Sequence, residues 1–333
     1  MNGLAQGEKA SAGVADGARR IGLGLAALGR PAYITSSRTD DLGPSRSVSE
    51  MADNASTLLD VAYGAGVRHV DCARSYGRAE RSLGGWLSAH PDTTDLTVAS
   101  KWGYRYVGGW RMDAPVHEVK DHSLTAFETQ LAETRAELGS RLDIYQIHSL
   151  TPDSPALHDP ALHRRLAALR DEGVEIGFST SGPRQADVIR SATALRVDGA
   201  PLFSVVQSTW NLLEPSAGPA LAEAAAAGLR VVVKEAVANG RLTTGEDDPA
   251  PAVREAARLA AEQDVSLDQV ALAAVLAQRW VSVVLSGAVT KAQLLSNLAA
   301  ARVEPPVDRL EAVLARRETP DLYWHRRSER SWA

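Results

Sequence analysis

The chain has 333 residues, 44 % hydrophobic and 23 % charged, the mix of a soluble globular protein able to bury a sizeable core. Its formal net charge of −5, with no dominant basic stripe, argues against a nucleic-acid partner. The single cysteine, Cys72, excludes an intrachain disulfide and fits a reducing, cytoplasmic setting, and no apolar run reaches the ~18 residues of a membrane span.

Residues 1–18 are rich in Ala, Gly and Ser without the apolar centre of a signal peptide, and read as a flexible N-terminal tail. The first candidate strand is RRIGLGLAAL (19–28), and the overlapping GLGLAALG (22–29) has glycines spaced like a dinucleotide fingerprint. Arg30-Pro31 cuts off the helix that such a fingerprint must open, so a barrel strand is the better reading. GVRHVD (66–71), LTVASK (96–101) and LDIYQIH (142–148) follow. VEIGFS (174–179), FSVVQS (203–208), LRVVVK (229–234) and WVSVVLSG (280–287) complete the set. These near-continuous apolar runs have the character of buried parallel strands.

Helical patterns fill the gaps. SLTAFETQLAETRAEL (123–138) puts Leu124, Phe127, Leu131 and Leu138 on one face. DPALHRRLAALRDEG (159–173) carries an N-cap Asp159, then Pro160, and ends at Gly173. SLDQVALAAVLAQ (266–278) opens on a Ser-x-x-Gln capping box. Strand and helix alternating in this way predict an α/β fold, the (β/α)8 TIM barrel. It would form one domain over 19–333, with a C-terminal tail from about 318.

In such a barrel the reactive side chains come from the C-terminal ends of the strands. Those ends read Asp71, Lys101, His148, Ser179, Gln207, Lys234 and Gly287, and Tyr76 follows Asp71 on a glycine-marked turn. A free tyrosine titrates near ~10 and is a poor acid at neutral pH. A nearby lysine ammonium favours the phenolate and is expected to lower that pKa, with a buried aspartate orienting the lysine. The phenol is then placed to give a proton to a carbonyl oxygen, or to take one from an alcohol. The histidine would aim a hydrogen bond at the same oxygen. No nucleophile is implied, so a hydride must come from a cofactor.

These segments resemble the aldo-keto reductase family of the bacterial type. GVRHVDCARSYGRAERSLGGWL is similar to its Asp–Tyr signature, ASKWG to its Lys segment and DIYQIH to its His segment, over roughly residues 19–301. The resemblance implies a (β/α)8 barrel and carbonyl reduction with a nicotinamide cofactor, reversible toward alcohols or sugars. It implies Tyr76 as general acid/base, Lys101 and Asp71 as the pair that tunes it, and His148 as the residue that orients substrate. NADP(H) is the favoured cofactor, with NAD(H) left open.

Carried over by position, Ser179, Thr180 and Gln207 stand where the nicotinamide carboxamide is held, Thr180 replacing the frequent Asn. Lys234 stands where the family stacks an aromatic ring on the nicotinamide, and Trp210 is the candidate substitute. Glu235, Ala236, Val237, Asn239 and Gly240 match the pyrophosphate loop in position. Gly287, Gln293 and Asn297 match the segment that grips the adenosine phosphate, with Lys291 supplying charge. Thr290-x-x-Gln293 is also a capping box, and the two roles are compatible at a helix N-terminus.

The stretch 101–122 is long for a connection and reads either as a loop over the pocket or as one packed on its own side chains. Trp102, Tyr104 and Trp110 are its candidate substrate contacts, and the stretches 30–47 and 321–333 are also expected to border the pocket. Within it, HEVKDH spaces its histidines five apart, which breaks the one-face geometry of a zinc helix, so no metal site is expected. The expected partner is a small carbonyl or alcohol; the alternative function is a nucleotide-sensing regulatory subunit on the same barrel. The same resemblance implies that His148, at a position that tends to be an acid in members reducing C=C bonds, favours C=O reduction. Substrate and oligomeric state are not legible at this level.

Overall fold

β1 (Ile21–Gly24) leads through α1 (Val48–Gly64) to β2 (His69–Asp71). α2 (Ala79–Ala89) returns the chain to β3 (Thr97–Trp102), α3 (Leu124–Leu138) to β4 (Ile144–Leu150), and α4 (Pro160–Asp171) to β5 (Glu175–Thr180). α5 (Gln185–Thr193) precedes β6 (Val205–Thr209), and α6 (Gly218–Ala226) precedes β7 (Arg230–Lys234). Two helices, α7 (Pro251–Glu262) and α8 (Leu267–Leu276), come before β8 (Val283–Ser286). β8 pairs in parallel with β1, Ile21 opposite Val284 and Leu23 opposite Ser286, and this closes the (β/α)8 barrel. The chain then adds α9 (Lys291–Ala299), α10 (Val307–Leu314) and α11 (Pro320–Ser328). The computed structural model describes residues 17–34, 41–43, 46–243 and 248–332. The expected N-terminal tail thus falls, but for its last two residues, outside the described residues, as does part of the stretch after β1.

Local chemistry sets the helix starts. Asp159 accepts from the backbone N–H groups of Ala161 and Leu162 and Pro160 opens α4; Ser266 and Gln269 form the reciprocal capping box of α8. The strands alternate between two cores. Outward side chains such as Val98, Phe178 and Val206 pack beneath the helices. Inward ones, Ala99, Ile144, Val205, Val232, Val283 and Leu285, fill the barrel as a separate cluster. Above that apolar plug the same inward rows end in polar side chains, and this sets the depth of the site.

Two additions shape the barrel mouth. The segment after β3 is not a plain loop: Tyr104–Tyr106 pairs antiparallel with Glu118–Lys120. Gly109 and Trp110 take positive φ at its tip. At the other end of the chain, the expected tail contains a helix, α11, whose last turn and following residues line the mouth. Among the described residues no helix is long and apolar enough to cross a membrane.

Candidate active site

Alternation decides what reaches the mouth. On β2, β3 and β4 the inward positions nearest the C-terminal end are Asp71, Lys101 and His148. Lys101, fully buried, donates to Asp71 Oδ2 at 2.5 Å and to the Cys72 carbonyl at 2.9 Å. Asp71 Oδ1 accepts from Gln207 Nε2 at 2.8 Å and from Gln146 Nε2 at 3.3 Å. A charge pair taken out of water persists when its remaining lone pairs are satisfied, and the two amides do this.

Tyr76 stands above this layer. Its ring centroid is 4.7 Å from Lys101 Nζ, and its hydroxyl is 3.4 Å from His148 Nε2. Burial, then Asp71, pushes the Tyr76 phenol well above its ordinary pKa, with Arg30 opposing. This corrects the expectation that Lys101 lowers it. The ammonium is committed to Asp71 and meets the face of the ring, so the cost of placing a phenolate in a dry site prevails. His148 shifts the other way: burial and the cations Lys101, Lys234 and Arg30 hold it neutral.

These groups open into a cavity of about 340 Å³. Tyr76, His148, Gln207, Lys234, Glu235, Ala236, Val237, Asn239 and Gly287 line it, and so does Tyr104 from the hairpin. The wall also contains residues that sequence reasoning did not assign. Arg30 lies 5.2 Å from the Tyr76 ring centroid and pairs with Glu118 at 2.7 Å. Arg327 holds Glu235 in a forked pair at 2.6–3.1 Å. Trp332 stacks on His117 with centroids 4.3 Å apart. Gln146 shares an inward row with His148, a signal present in the sequence; Arg30, Arg327 and Trp332 lie in the stretches 30–47 and 321–333 expected to border the pocket, but were not singled out there.

Several candidate residues lie elsewhere. Trp102, Thr180 and Trp210 occupy outward positions of β3, β5 and the end of β6. Trp102 packs on Phe127 at 5.1 Å, Thr180 meets Ser208 at 2.8 Å, and Trp210 lies edge-on to Trp280 at 5.9 Å. No ring at 210 therefore faces the site, and Lys234, bonded to Thr209 Oγ1 at 2.8 Å, keeps the position at the end of β7. Trp110 is half-buried and ties the hairpin to the Arg46 carbonyl at 2.8 Å, away from the cavity wall. Ser179 Oγ accepts from the Ser149 N–H at 2.8 Å, and neither it nor Gly240 forms part of the wall.

The adenosine-end candidates are engaged within the protein. Gln293 accepts from the Val289 N–H at 2.9 Å and donates to Asp41 at 2.7 Å. Asn297 bridges Ser286 and Asp268, both at 2.7 Å. Lys291 is exposed at the start of α9. Among the described residues no group of His, Cys, Asp or Glu is arranged to hold a metal.

One end of the wall has room for a further group. Beyond the Gly287 backbone there is open space, where a Cβ would meet nothing within 4 Å, and the Lys234 side chain faces the same cavity. A neutral imidazole, a protonated phenol and a lysine beside an open backbone suit a carbonyl group next to a polyanionic cofactor.

Comparison with known proteins places this geometry. A search of curated proteins gives no match. Among solved structures, a protein of Pseudomonas aeruginosa assigned to the aldo-keto reductases is 22 % identical with a TM-score of 0.60, covering 85 % of this chain and 88 % of its own. The glycerol dehydrogenase AKR11B4 from Gluconobacter oxydans is also 22 % identical, with a TM-score of 0.64, covering 89 % and 90 %. At that identity the likeness speaks for the fold. The profile of the aldo/keto reductase family matches residues 20–313, the whole barrel, and the chain belongs to that family of oxidoreductases.

Proposed function

We propose that the protein is an NADP(H)-dependent oxidoreductase that reduces an aldehyde, ketone or sugar carbonyl to the alcohol, or runs the reverse reaction, with Tyr76 as general acid/base. The observation that carries this reading is the meeting of Tyr76 and His148 over the buried Lys101–Asp71 pair. A bound nicotinamide supplies the hydride. In this reading the neutral His148 donates to the carbonyl oxygen and orients it. Tyr76, its pKa raised by burial, holds its proton across neutral pH until the oxygen becomes alkoxide-like and draws it away. Lys101, anchored by Asp71, keeps its ammonium beneath the ring as that proton leaves.

Lys234 and the open backbone at Gly287 support binding of the nicotinamide and pyrophosphate end. Lys291, the one basic side chain in 287–297, supports NADP(H). A histidine, rather than an acid, at position 148 supports C=O over C=C reduction. The substrate is a small molecule, and a cytoplasmic setting belongs to the same proposal.

The test is steady-state oxidation of NADPH and NADH with a panel of carbonyls, together with fluorescence titration of both nucleotides. Tyr76→Phe should abolish turnover and leave nucleotide affinity nearly intact. Full activity in that variant would sink the role of Tyr76. Tight nucleotide binding with no turnover on any carbonyl would favour a sensing subunit.

A further inference from the structure

We infer that Ser75 is a positioning residue that fixes the imidazole proton of His148 on Nε2. The inference rests on the proposed reading of His148 as the group facing the carbonyl oxygen.

Ser75 is fully buried, and its hydroxyl lies 3.4 Å from His148 Nδ1, the one hydrogen-bond partner of that hydroxyl among the described residues. The residue is held from behind, because Arg30 Nη1 donates to the Ser75 carbonyl at 3.0 Å. His148 is held as well. His122 Nε2 lies 2.8 Å from its backbone carbonyl, and the rings of Tyr76 and Tyr104 flank the imidazole at centroid distances of 5.4 and 5.1 Å. The ring therefore has little freedom to turn, and its chemistry depends on which nitrogen carries the hydrogen.

A neutral imidazole has one N–H and one acceptor nitrogen. With the hydrogen on Nδ1, the Ser75 hydroxyl could only accept, and its own hydrogen would be buried without a partner. Nε2 would then accept from the Tyr76 hydroxyl 3.4 Å away, which would turn the phenol proton toward the histidine and away from a substrate. With Ser75 donating to Nδ1, both groups are satisfied, and Nε2–H points to the place a carbonyl oxygen must occupy. The serine thus selects the tautomer that orients substrate and leaves the Tyr76 proton available.

The test uses full-length protein with nitrogen-15 histidine, read by two-bond nitrogen–proton correlation. The His148 signal is assigned by its loss in His148→Gln. The wild type should show Nε2–H, Ser75→Ala should shift His148 toward Nδ1–H, and Ser75→Thr should restore Nε2–H; Ser75→Cys replaces the threonine variant if the added methyl group unfolds the protein. With an active carbonyl substrate, kcat of Ser75→Ala should fall roughly 100-fold at unchanged nucleotide KM, the scale of losing one correctly protonated group. Nδ1–H in the wild type, or an unchanged spectrum in Ser75→Ala, would overturn the inference. The expected spectra with no reductase activity in the wild type would overturn the functional reading and leave the tautomer assignment standing.

Discussion

Gly29 passes so close to Tyr76 that a Cβ at position 29 would stand 2.1 Å from the Tyr76 carbonyl oxygen. The contact is reciprocal: a Cβ on Gly77 would stand 2.4 Å from the Gly29 carbonyl, which already accepts from the Arg78 N–H at 2.6 Å. At Gly29, then, the glycine of the first strand region that resembled a dinucleotide fingerprint serves backbone packing against the Tyr76 turn. We expect Gly29→Ala to displace that turn. A shift of about 1 Å costs roughly 100-fold in rate, and overpacking of this kind costs about 1–3 kcal/mol. Thermal melts and kcat measured on the same preparation check both effects; a variant with wild-type melting and wild-type kcat would contradict the close approach.

The Glu235–Arg327 pair fastens α11 across the cavity. Burial by itself would raise the Glu235 carboxyl, but Arg327 and Lys234 outweigh it and hold it at about 2. A carboxylate depressed in the fold stabilises the protein above its unfolded pKa of ~4.3, and that contribution is lost as pH falls toward ~2. Glu235→Gln leaves the half-buried Arg327 beside a neutral amide, so we expect a loss of about 1–2 kcal/mol at neutral pH, between the exposed and the fully buried cases. Hydrogen exchange should quicken in residues 320–332 while the barrel strands stay protected. Exchange unchanged in that segment would show that α11 is held by its apolar contacts alone.

How much of this was legible in the sequence depends on parity and reach. All eight barrel strands could be read from their apolar runs, and Asp71, Lys101, His148 and Gln207 from the ends of those runs. Trp102, Thr180 and Trp210 were misplaced because nearness in sequence was taken for nearness in space. Each is one step from an inward residue (Lys101, Ser179 or Thr209), and one step along a strand turns a side chain to the other face. The hairpin after β3 was hidden because its paired segments are three residues each. The direction of the Tyr76 shift was hidden for a different reason: it depends on how dry the site is, which residue order does not reveal. The tail 321–333 was read as bordering the pocket, but no local pattern singles out Arg327 and Trp332 within it, because they reach the mouth through the whole course of the chain.

Lys234 gives the cavity a charge that titrates near neutrality. Burial lowers its ammonium to about 8, with Arg327 and Lys101 adding to the effect and Glu235 opposing it. Below that pH the group is a cation in the wall where the pyrophosphate is proposed to lie. We therefore expect NADPH affinity to fall as pH rises through 8, by roughly fivefold for the loss of one solvent-screened charge contact of about 1 kcal/mol. Lys234→Arg should remove the dependence between pH 7 and 9, and Lys234→Met should bind weakly throughout. A flat profile in the wild type would place the phosphates away from Lys234.

Acid stability follows from the buried imidazoles. Burial lowers His69 to about 4, with Arg230 and Lys101 adding to it and Asp71 opposing. Burial lowers His122 to about 4 as well, assisted by Lys120, and His148 also lies below its ordinary value. In the unfolded chain these histidines titrate near ~6.5. Between about 6.5 and 4 the unfolded state thus binds more protons than the folded one, and stability must fall as the pH is lowered. Each histidine contributes a slope of up to about 1.4 kcal/mol per pH unit once the unfolded form is protonated and the folded form is not. Urea midpoints from pH 7.5 to pH 5 should therefore drop steeply, well before carboxylates such as Glu235 are protonated. His69→Leu should reduce that slope by about one proton's share. Equal midpoints at pH 7.5 and pH 5 would mean that the folded imidazoles take up protons as the unfolded ones do, and burial would not then be what holds His148 neutral.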